Sequence, residues 1–298
     1  MAKTVEAAFN ELISGIKTTA TEAEAAKSHR RSLSARLTDT FGMTGFFRSG
    51  SFGSGTNVAW YSDVDYFAII PDENLDDNSA VTLGQVAADL RLRYPTTEGI
   101  RVDSPGVAVP FGLDGAEHTE IIPVQHVGYT KLGYREFRMP DGAGGWMFSA
   151  PESHNAFVSE IDDGLNCELK PLIRLIKAWK YYRSVPIKSF YLELSTAEYG
   201  RGETYIHYPS DVARMLARLK ARALSDLLDP RFPNDGNFIK AANTELQRQD
   251  AITKLERAAT WASQAVEFGR EGKVRAAFER WDLVFNGMFP AYTGLTWV

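Results

Sequence analysis

The sequence GSFGSGT at residues 50–56, followed closely by DVDYFAII at residues 63–70, is the most informative part of this chain for predicting its fold. Apart from its aspartates the second stretch is mainly apolar, which predicts a β-strand that packs in a protein interior. Side chains alternate between the two faces of a strand, so Asp63 and Asp65 project to one side while Val64 packs on the other. The stretch therefore predicts two parallel carboxylates at one end of a buried strand.

A third carboxylate stands in a similar setting, because Glu120 immediately precedes Ile121 and Ile122 within TEIIPV. Burying several carboxylates together is costly unless a cation offsets their charge. Mg²⁺ prefers hard oxygen ligands and commonly combines one or two carboxylates with substrate phosphates, and Mn²⁺ can take its place. The pattern predicts that Asp63, Asp65 and Glu120 are catalytic and bind Mg²⁺ or Mn²⁺.

Two metal ions at these carboxylates would define the reaction class. One ion lowers the pKa of an attacking hydroxyl, and the other stabilises charge on a leaving pyrophosphate. Gly50 and Ser51 fit the phosphate end of the substrate, because glycine lets backbone N–H groups approach phosphate oxygens and a hydroxyl donates a further hydrogen bond. The loop lacks the lysine of a Walker motif. The residues indicate displacement of pyrophosphate from the α-phosphorus of a nucleoside triphosphate.

The rest of the chain predicts an α+β protein with two lobes. Apolar residues have helical spacing over residues 5–41, and from residue 151 onward the pattern is again helical, with Ser210 as the predicted cap of one helix. The strand patterns of a small mixed sheet are GFFRSGSF (45–52), DVDYFAII (63–70), VAVPFG (107–112) and TEIIPVQHV (119–127). We expect a sheet lobe with an N-terminal helix at residues 1–150 and a helical lobe at residues 151–298.

Composition excludes several other classes of protein. The 298-residue chain is 44% hydrophobic with a net charge of -5, whereas a protein that coats long nucleic acid needs a broad basic surface. The single cysteine, Cys167, excludes an internal disulfide, and the histidine spacing does not fit a zinc centre. Without a run of about 18 apolar residues or a signal-peptide pattern, we expect no membrane segment and a cytoplasmic location.

The stretches GSFGSGT, SDVDYF and TEIIPV together resemble the signature of the cGAS/DncV-like nucleotidyltransferases, bacterial relatives of cyclic GMP-AMP synthase within the DNA polymerase β-like superfamily. The similarity continues in order and spacing through LKPLIRLIKAWKYY (169–182), IKSFYLEL (187–194) and LLDPRFPNDGNF (227–238). This resemblance implies a polymerase β-like nucleotidyltransferase lobe, a helical C-terminal lobe and an active site in the cleft between them.

The same resemblance implies nucleotide-binding roles for four residues of the second half. Lys177 is similar to a helical lysine that contacts the triphosphate, Ser189 to a hydroxyl that does likewise, and Phe190 to an aromatic side chain that stacks on a nucleobase. Asn166 lies where family members place residues near the base. The alternatives are an exposed helix lysine, a helix cap for Ser189 or Asn166, and ordinary core packing for Phe190. Glu120 departs from the aspartate that is usual at the third acidic position.

The function that the resemblance implies is the joining of nucleoside triphosphates into a small cyclic or linear di- or trinucleotide. Such a product is a second messenger in antiphage signalling of the CBASS type, and the partner is a downstream effector that binds it. Two rival functions are nucleotide transfer to protein or RNA, as in antitoxin-like, tRNA-modifying or oligoadenylate-synthesising relatives, and nucleotide binding without catalysis. The length and two-lobed pattern favour the cyclase, and the presence of all three acids argues against a catalytically silent protein.

Overall fold

A computed structural model describes residues 2–17, 20–111, 117–232 and 237–294. Contacts divide the chain into two compact units, one formed by Thr18–Ala156 and the other by Met1–Lys17 together with Phe157–Val298. The first unit contains a seven-stranded sheet and the second is mainly helical. By its contacts, therefore, the N-terminal helix is grouped with the helical unit.

The elements of the described ranges follow in chain order. The helices are α1 (Val5–Gly15), α2 (Ala20–Phe41), α3 (Gly50–Ser54), α4 (Ser79–Arg93), α5 (Pro151–Gly164), α6 (Leu169–Tyr182), α7 (Ser189–Gly200), α8 (Tyr208–Ala221), α9 (Glu245–Arg270) and α10 (Val274–Val284). The strands are β1 (Gly45–Arg48), β2 (Val64–Ile69), β3 (Arg101–Asp103), β4 (Gly106–Phe111), β5 (Glu117–Tyr129), β6 (Arg135–Pro140), β7 (Trp146–Ser149), β8 (Leu227–Leu228) and β9 (Phe238–Ile239).

The sheet of the first unit is mixed. Its main strand order is β1-β2-β5-β4-β3, in which β2 and β5 are parallel and the other neighbours are antiparallel. The long strand β5 continues past this group to pair with β6, which in turn pairs with β7. This arrangement confirms the predicted α+β class, and it places β2 and β5 side by side in the middle of the sheet.

One face of the sheet is covered by helices α2 and α4. Leu33 and Leu37 of α2, four residues apart on one helix face, are fully buried, as are Val86 and Leu90 of α4. They belong to the same apolar cluster as Ile121 of β5. This packing fixes the sheet so that the ends of β2 and β5 hold their polar side chains in defined positions.

Two predictions for the first strands need correction. The strand predicted over residues 45–52 ends at Arg48, because Gly50 has a φ of +53° that turns the chain into the short helix α3. The strand predicted from residue 63 begins at Val64, so Asp63 lies in the loop directly before β2. The strands predicted at VAVPFG and TEIIPVQHV correspond to β4 and β5, which pair antiparallel, and residues 112–116 between them lie outside the described residues.

In the helical unit, α1 packs on the C-terminal helix α10 through aromatic side chains. The ring of Phe9 meets that of Trp281 edge-on with centroids 4.9 Å apart, and Phe9 also contacts Phe289 at 5.1 Å. Such edge-to-face contacts add to the free energy gained from apolar burial. The helical pattern predicted for the second half of the chain is confirmed by α5 to α10.

The prediction that Ser210 caps a helix is wrong. Helix α8 begins at Tyr208, with His207 at the N-cap position and Pro209 in the first turn. Proline fits the first turn of a helix because its φ is fixed near the helical value and it has no N–H to satisfy. Ser210 therefore lies inside the helix, where its Oγ is 2.9 Å from Nδ1 of His207.

Within the described ranges, no helix combines the length and the apolar character that a membrane span would need.

Candidate active site

Asp65 of β2 and Glu120 of β5 are register partners across two parallel strands. Register partners on neighbouring strands project to the same face of a sheet, so the two carboxyl groups lie side by side. A hydrogen bond with the Asp65 side chain is among the causes that raise the pKa of Glu120, after burial and the repulsion from its acidic neighbours. Asp63 lies two residues before Asp65, immediately before β2 begins. The sheet therefore places Asp65 beside Glu120, and Asp63 is near enough for its carboxylate to repel that of Glu120.

The pKa of Glu120 shows that this clustering of acids is electrostatically unfavourable. Burial is the largest cause that raises the pKa of Glu120 to about 8, and repulsion from Asp65, Asp63 and Asp103 adds to it. A carboxyl surrounded by other carboxylates in a partly buried site binds a proton more tightly, because ionisation would add another negative charge. A bound cation would act in the opposite direction and favour the ionised form. The local field therefore favours binding of a cation.

Two glycines, by having no side chain, provide the space that Asp65 and Glu120 occupy. A β-carbon on Gly50 would lie 2.8 Å from Cγ of Asp65, and one on Gly106 of β4 would lie 2.6 Å from Cγ of Glu120. Both distances are shorter than any normal contact of a β-carbon, so a larger residue at either position would displace an acid. Gly106 was not predicted to belong to the site. It is the first residue of β4, and the sequence around it does not indicate that Glu120 of β5 lies beside it.

The predicted phosphate contacts, Gly50 and Ser51, form the first turn of α3. The backbone N–H of Ser49 donates to the carbonyl oxygen of Asp65 at 2.8 Å, which fixes the start of α3 against β2. Gly55, with a φ of +71°, ends the helix. The first N–H groups of a helix have no acceptor within it, so they can donate to an anion. The chain therefore places a turn of backbone N–H groups directly beside Asp65.

Whether these acids suit a metal ion is judged from the kind of ligand atoms that they supply. Among the described residues, no three His, Cys, Asp or Glu side chains are close enough together to form a metal site as they stand. Asp63, Asp65 and Glu120 nevertheless supply only carboxylate oxygens, which Mg²⁺ and Mn²⁺ prefer, and burial together with repulsion from Asp65 and Asp63 raises the pKa of Glu120. The residues fit a hard divalent cation in charge and donor type.

Lys177 and Ser189 have different surroundings in the helical unit. Lys177 of α6 is only 1% exposed, and its ammonium is ion-paired with Glu193 of α7. Lys180, one turn further along α6, donates from Nζ to Oγ of Ser189 at 2.6 Å. The Tyr181 hydroxyl lies 3.1 Å from the same Oγ. The alternative of an exposed lysine at position 177 is therefore wrong, and Ser189 lies beside a second lysine that the sequence analysis did not single out.

Phe190 and Asn166 are both accessible to solvent. Phe190 is 43% exposed, so it is not an ordinary core residue. Asn166 is exposed in the turn before α6 with a φ of +53°, and it lines a cavity of about 360 Å³ together with Glu168 and His207. The N-cap position of α6 is Glu168, so Asn166 does not cap this helix. These positions leave Phe190 and Asn166 able to contact a ligand.

Comparison with known proteins by sequence gives a partial match. No family model matches the chain. A probable cyclic nucleotide synthase of Bacillus cereus (strain VD146) is 25% identical to it over 181 residues. The match covers 58% of this chain and 52% of the relative, so the chain spans about half the length of that curated relative.

Comparison with solved structures covers nearly the whole chain. CdnC of E. coli MS115-1, in its complex with HORMA-deltaN, has a TM-score of 0.73 at 19% identity and covers 96% of this chain and 97% of its own. Vibrio cholerae DncV cyclic AMP-GMP synthase, with the linear intermediate 5′ pppA(3′,5′)pG, has a TM-score of 0.75 at 12% identity over 94% of each chain. Elizabethkingia meningoseptica CdnE has a TM-score of 0.59 at 18% identity, over 80% of this chain and 91% of its own.

These likenesses identify the class of fold. The chain has the polymerase β-like fold of the cGAS/DncV-like nucleotidyltransferases, with a mixed sheet unit followed by helices. This result confirms the resemblance that the motifs GSFGSGT, SDVDYF and TEIIPV predicted.

Proposed function

We propose that this protein is a nucleotidyltransferase that joins nucleoside triphosphates into a small cyclic or linear oligonucleotide and releases pyrophosphate. The observation that carries the proposal is the pairing of Asp65 with Glu120 in register, with Asp63 two residues away and the pKa of Glu120 raised to about 8 by burial and by its acidic neighbours. Such clustering of carboxyls is unfavourable on its own and is typical of a site that binds cations.

Asp63, Asp65 and Glu120 would hold Mg²⁺ or Mn²⁺, and the bound ion would lower the pKa of the attacking hydroxyl and offset charge on the leaving pyrophosphate. Gly50 and Ser51 bind the phosphates of the incoming nucleotide through backbone N–H groups and the serine hydroxyl. Gly50 and Gly106 hold the acids in place by leaving room for them. Positioning and electrostatics then provide most of the catalysis.

Residues of the helical unit contribute further nucleotide contacts in this proposal. Ser189 binds the triphosphate together with a lysine of α6, and two lysines qualify on different grounds. Lys177 matches the family position, whereas Lys180 already contacts the Ser189 hydroxyl. The exposure of Phe190 supports stacking on a nucleobase, and the exposure of Asn166 supports a contact to a base edge.

Formation of a cyclic product, with a role in CBASS-type antiphage signalling, is supported by the relatives. One solved neighbour is a cyclic AMP-GMP synthase with a linear intermediate bound, another is CdnC with ATP, and the curated relative is a probable cyclic nucleotide synthase. In this proposal a downstream effector binds the product. The whole-length likeness to these structures favours this function over nucleotide transfer to protein or RNA.

Labelled substrates separate the candidate functions. The protein is incubated with nucleoside triphosphates labelled at the α-phosphate, in Mg²⁺ and separately in Mn²⁺. We expect the label in a small product, which resists phosphatase if it is cyclic. Label that stays with added protein or RNA would support transfer to a macromolecule, and binding of nucleotide without any transfer would identify a catalytically silent protein.

A further inference from the structure

Four residues form a straight row across the sheet, from β2 to the edge strand β3. Asp65 pairs with Glu120, Glu120 pairs with Ala108 of β4, and Ala108 pairs with Arg101 of β3. Register partners project to the same face, so Arg101 shares the face of the two acids. Only the methyl group of Ala108 separates Arg101 from Glu120 in this row. The sheet thus places the positively charged Arg101 on the same face as the two acids, on the side of Glu120 that faces away from Asp65.

The gap above Ala108 is part of a cavity of about 200 Å³ that is lined by Asp63, Glu120, Ala108, Arg101, Asp103 and His118, among others. Among the residues described around this cavity, Arg101 carries the permanent positive charge. Its Nη2 lies 2.9 Å from Oδ2 of Asp103, and its side chain is 56% exposed. The guanidinium is therefore oriented by Asp103 and still accessible to a ligand.

We propose that Arg101 binds a phosphate of the acceptor nucleotide, the one whose hydroxyl attacks. This inference rests on the proposed function, in which Asp63, Asp65 and Glu120 together would hold the metal that activates the attacking hydroxyl; we place that hydroxyl at Glu120, on the side of Asp65 away from the N–H groups of α3. Arg101 lies beyond Glu120 on the side away from Asp65 and the N–H groups of α3, which serve the donor triphosphate. Two strand spacings separate the backbones of Arg101 and Glu120, about 10 Å. A nucleotide that presents its ribose hydroxyl at Glu120 spans this gap with its sugar and reaches Arg101 with its phosphates.

Electrostatics explains why the acceptor needs such a residue. A second polyphosphate that approaches Asp63, Asp65, Glu120 and Asp103 is repelled by their carboxylates. An arginine provides the opposite charge and a planar pair of donors that matches a phosphate group. The ion pair with Asp103 is exposed and therefore weak, so a phosphate can replace the carboxylate at the guanidinium.

The test separates the acceptor from the donor. The donor is a 2′,3′-dideoxynucleoside triphosphate, which has no hydroxyl to attack. The acceptor is either an α,β-methylene nucleoside triphosphate, which cannot release pyrophosphate, or the corresponding nucleoside without phosphates. Both carry bases that the wild-type protein incorporates. The variants are Arg101→Gln, Arg101→Lys and, as a matched control, Arg138→Gln, since Arg138 lies on β6 of the same unit and makes a 2.9 Å ion pair with Asp72.

For Arg101→Gln we expect the KM of the triphosphate acceptor to rise about tenfold or more, the usual effect of losing a charged hydrogen bond. The KM values of the donor and of the phosphate-free acceptor should stay within about twofold of wild type, with an unchanged Tm. Arg101→Lys should retain part of the affinity, and Arg138→Gln all of it. An unchanged acceptor KM in Arg101→Gln, or an equal rise in KM for the phosphate-free acceptor, overturns the inference about Arg101 but leaves the proposed function intact. Absence of product from the wild-type protein contradicts the proposed function and this inference with it.

Discussion

Gly50 leaves the space that the Asp65 carboxyl group fills: a β-carbon on Gly50 would lie 2.8 Å from Cγ of Asp65, and the Gly50 backbone has a φ of +53°. The start of α3 therefore packs directly against the Asp65 side chain of β2. A helix N-terminus and a carboxylate can approach this closely only where the residue between them has no side chain.

Gly50→Ala should remove nearly all nucleotidyl transfer while the protein stays folded. The new methyl group displaces Asp65 from its position beside Glu120, and the left-handed backbone adds strain of about 1–3 kcal/mol. Turnover and thermal unfolding of the same preparation measure the two effects. Gly84→Ala is the matched control, because a β-carbon on Gly84, in α4 of the same unit, would have no atom within 4 Å outside its own helix backbone. Normal turnover in Gly50→Ala would show that Asp65 does not depend on this space.

The pH dependence of stability should report on Glu120. Its folded pKa of about 8 lies above the ordinary value of 4.5, so the proton on Glu120 stabilises the folded state at low pH. This contribution is complete below about pH 4.5 and is lost as the pH rises to about 8. In metal-free buffer the Tm of the wild type should therefore fall, relative to that of Glu120→Gln, between about pH 5 and about pH 8. A constant difference in Tm over this range would contradict the raised pKa.

Lys177 and Glu193 allow a structural role to be separated from a catalytic one. Lys177→Ala removes the ammonium that offsets a buried carboxylate, so we expect a loss of about 3–5 kcal/mol of stability. The double variant Lys177→Met with Glu193→Leu should regain much of that stability, since it contains neither charge. Chemical unfolding of all variants measures this coupling.

The same variants test the predicted triphosphate contact. If Lys177 binds the triphosphate, the stable double variant still binds nucleotide poorly. Normal nucleotide affinity in the double variant would assign Lys177 a purely structural role and leave Lys180 as the lysine that acts with Ser189.

Base selection by Asn166 is best tested with two substitutions. Asn166→Gly removes the amide and tolerates the φ of +53°, whereas Asn166→Ser removes the amide and adds backbone strain. If the amide reads a base edge, both variants should change the ratio of incorporated nucleotides by about tenfold or more, the effect of one lost hydrogen-bond requirement. Competition among the four triphosphates, read by product mass, measures the ratio. The same product mixture in both variants would argue against a base contact.

The sequence was sufficient to predict the strand that contains Asp65 and the helices of the second half. These predictions depend on local periodicity, which is visible within a single stretch of about ten residues. The short helix α3 was missed because one positive φ at Gly50 ends the strand pattern early. The roles of Gly106 and Arg101 were missed for another reason: they depend on the register of β3, β4 and β5, which places residues distant in sequence next to Glu120.

The helical unit shows the same limit on prediction. Lys177 has the spacing of an amphipathic helix, but its burial against Glu193 depends on how α6 packs on α7. The alternative of a helix cap at Asn166 relied on residue type alone, whereas the chain makes a left-handed turn at Asn166 and Cys167 before α6 begins at Leu169. Tertiary packing decides both cases.

Asp63 and Asp65 are the acids on which the proposed joining of nucleoside triphosphates depends, and product analysis measures that reaction itself. The wild-type protein and the double variant Asp63→Asn with Asp65→Asn are each incubated with the four triphosphates and Mg²⁺ or Mn²⁺. Pyrophosphate release and product mass are then measured. We predict that the wild type forms a small cyclic or linear oligonucleotide with release of pyrophosphate, and that the double variant forms none while its metal-free Tm equals or exceeds that of the wild type, because two repelling charges are gone. Equal product from the double variant would exclude Asp63 and Asp65 from the reaction, and no oligonucleotide from the wild type would contradict the proposed function.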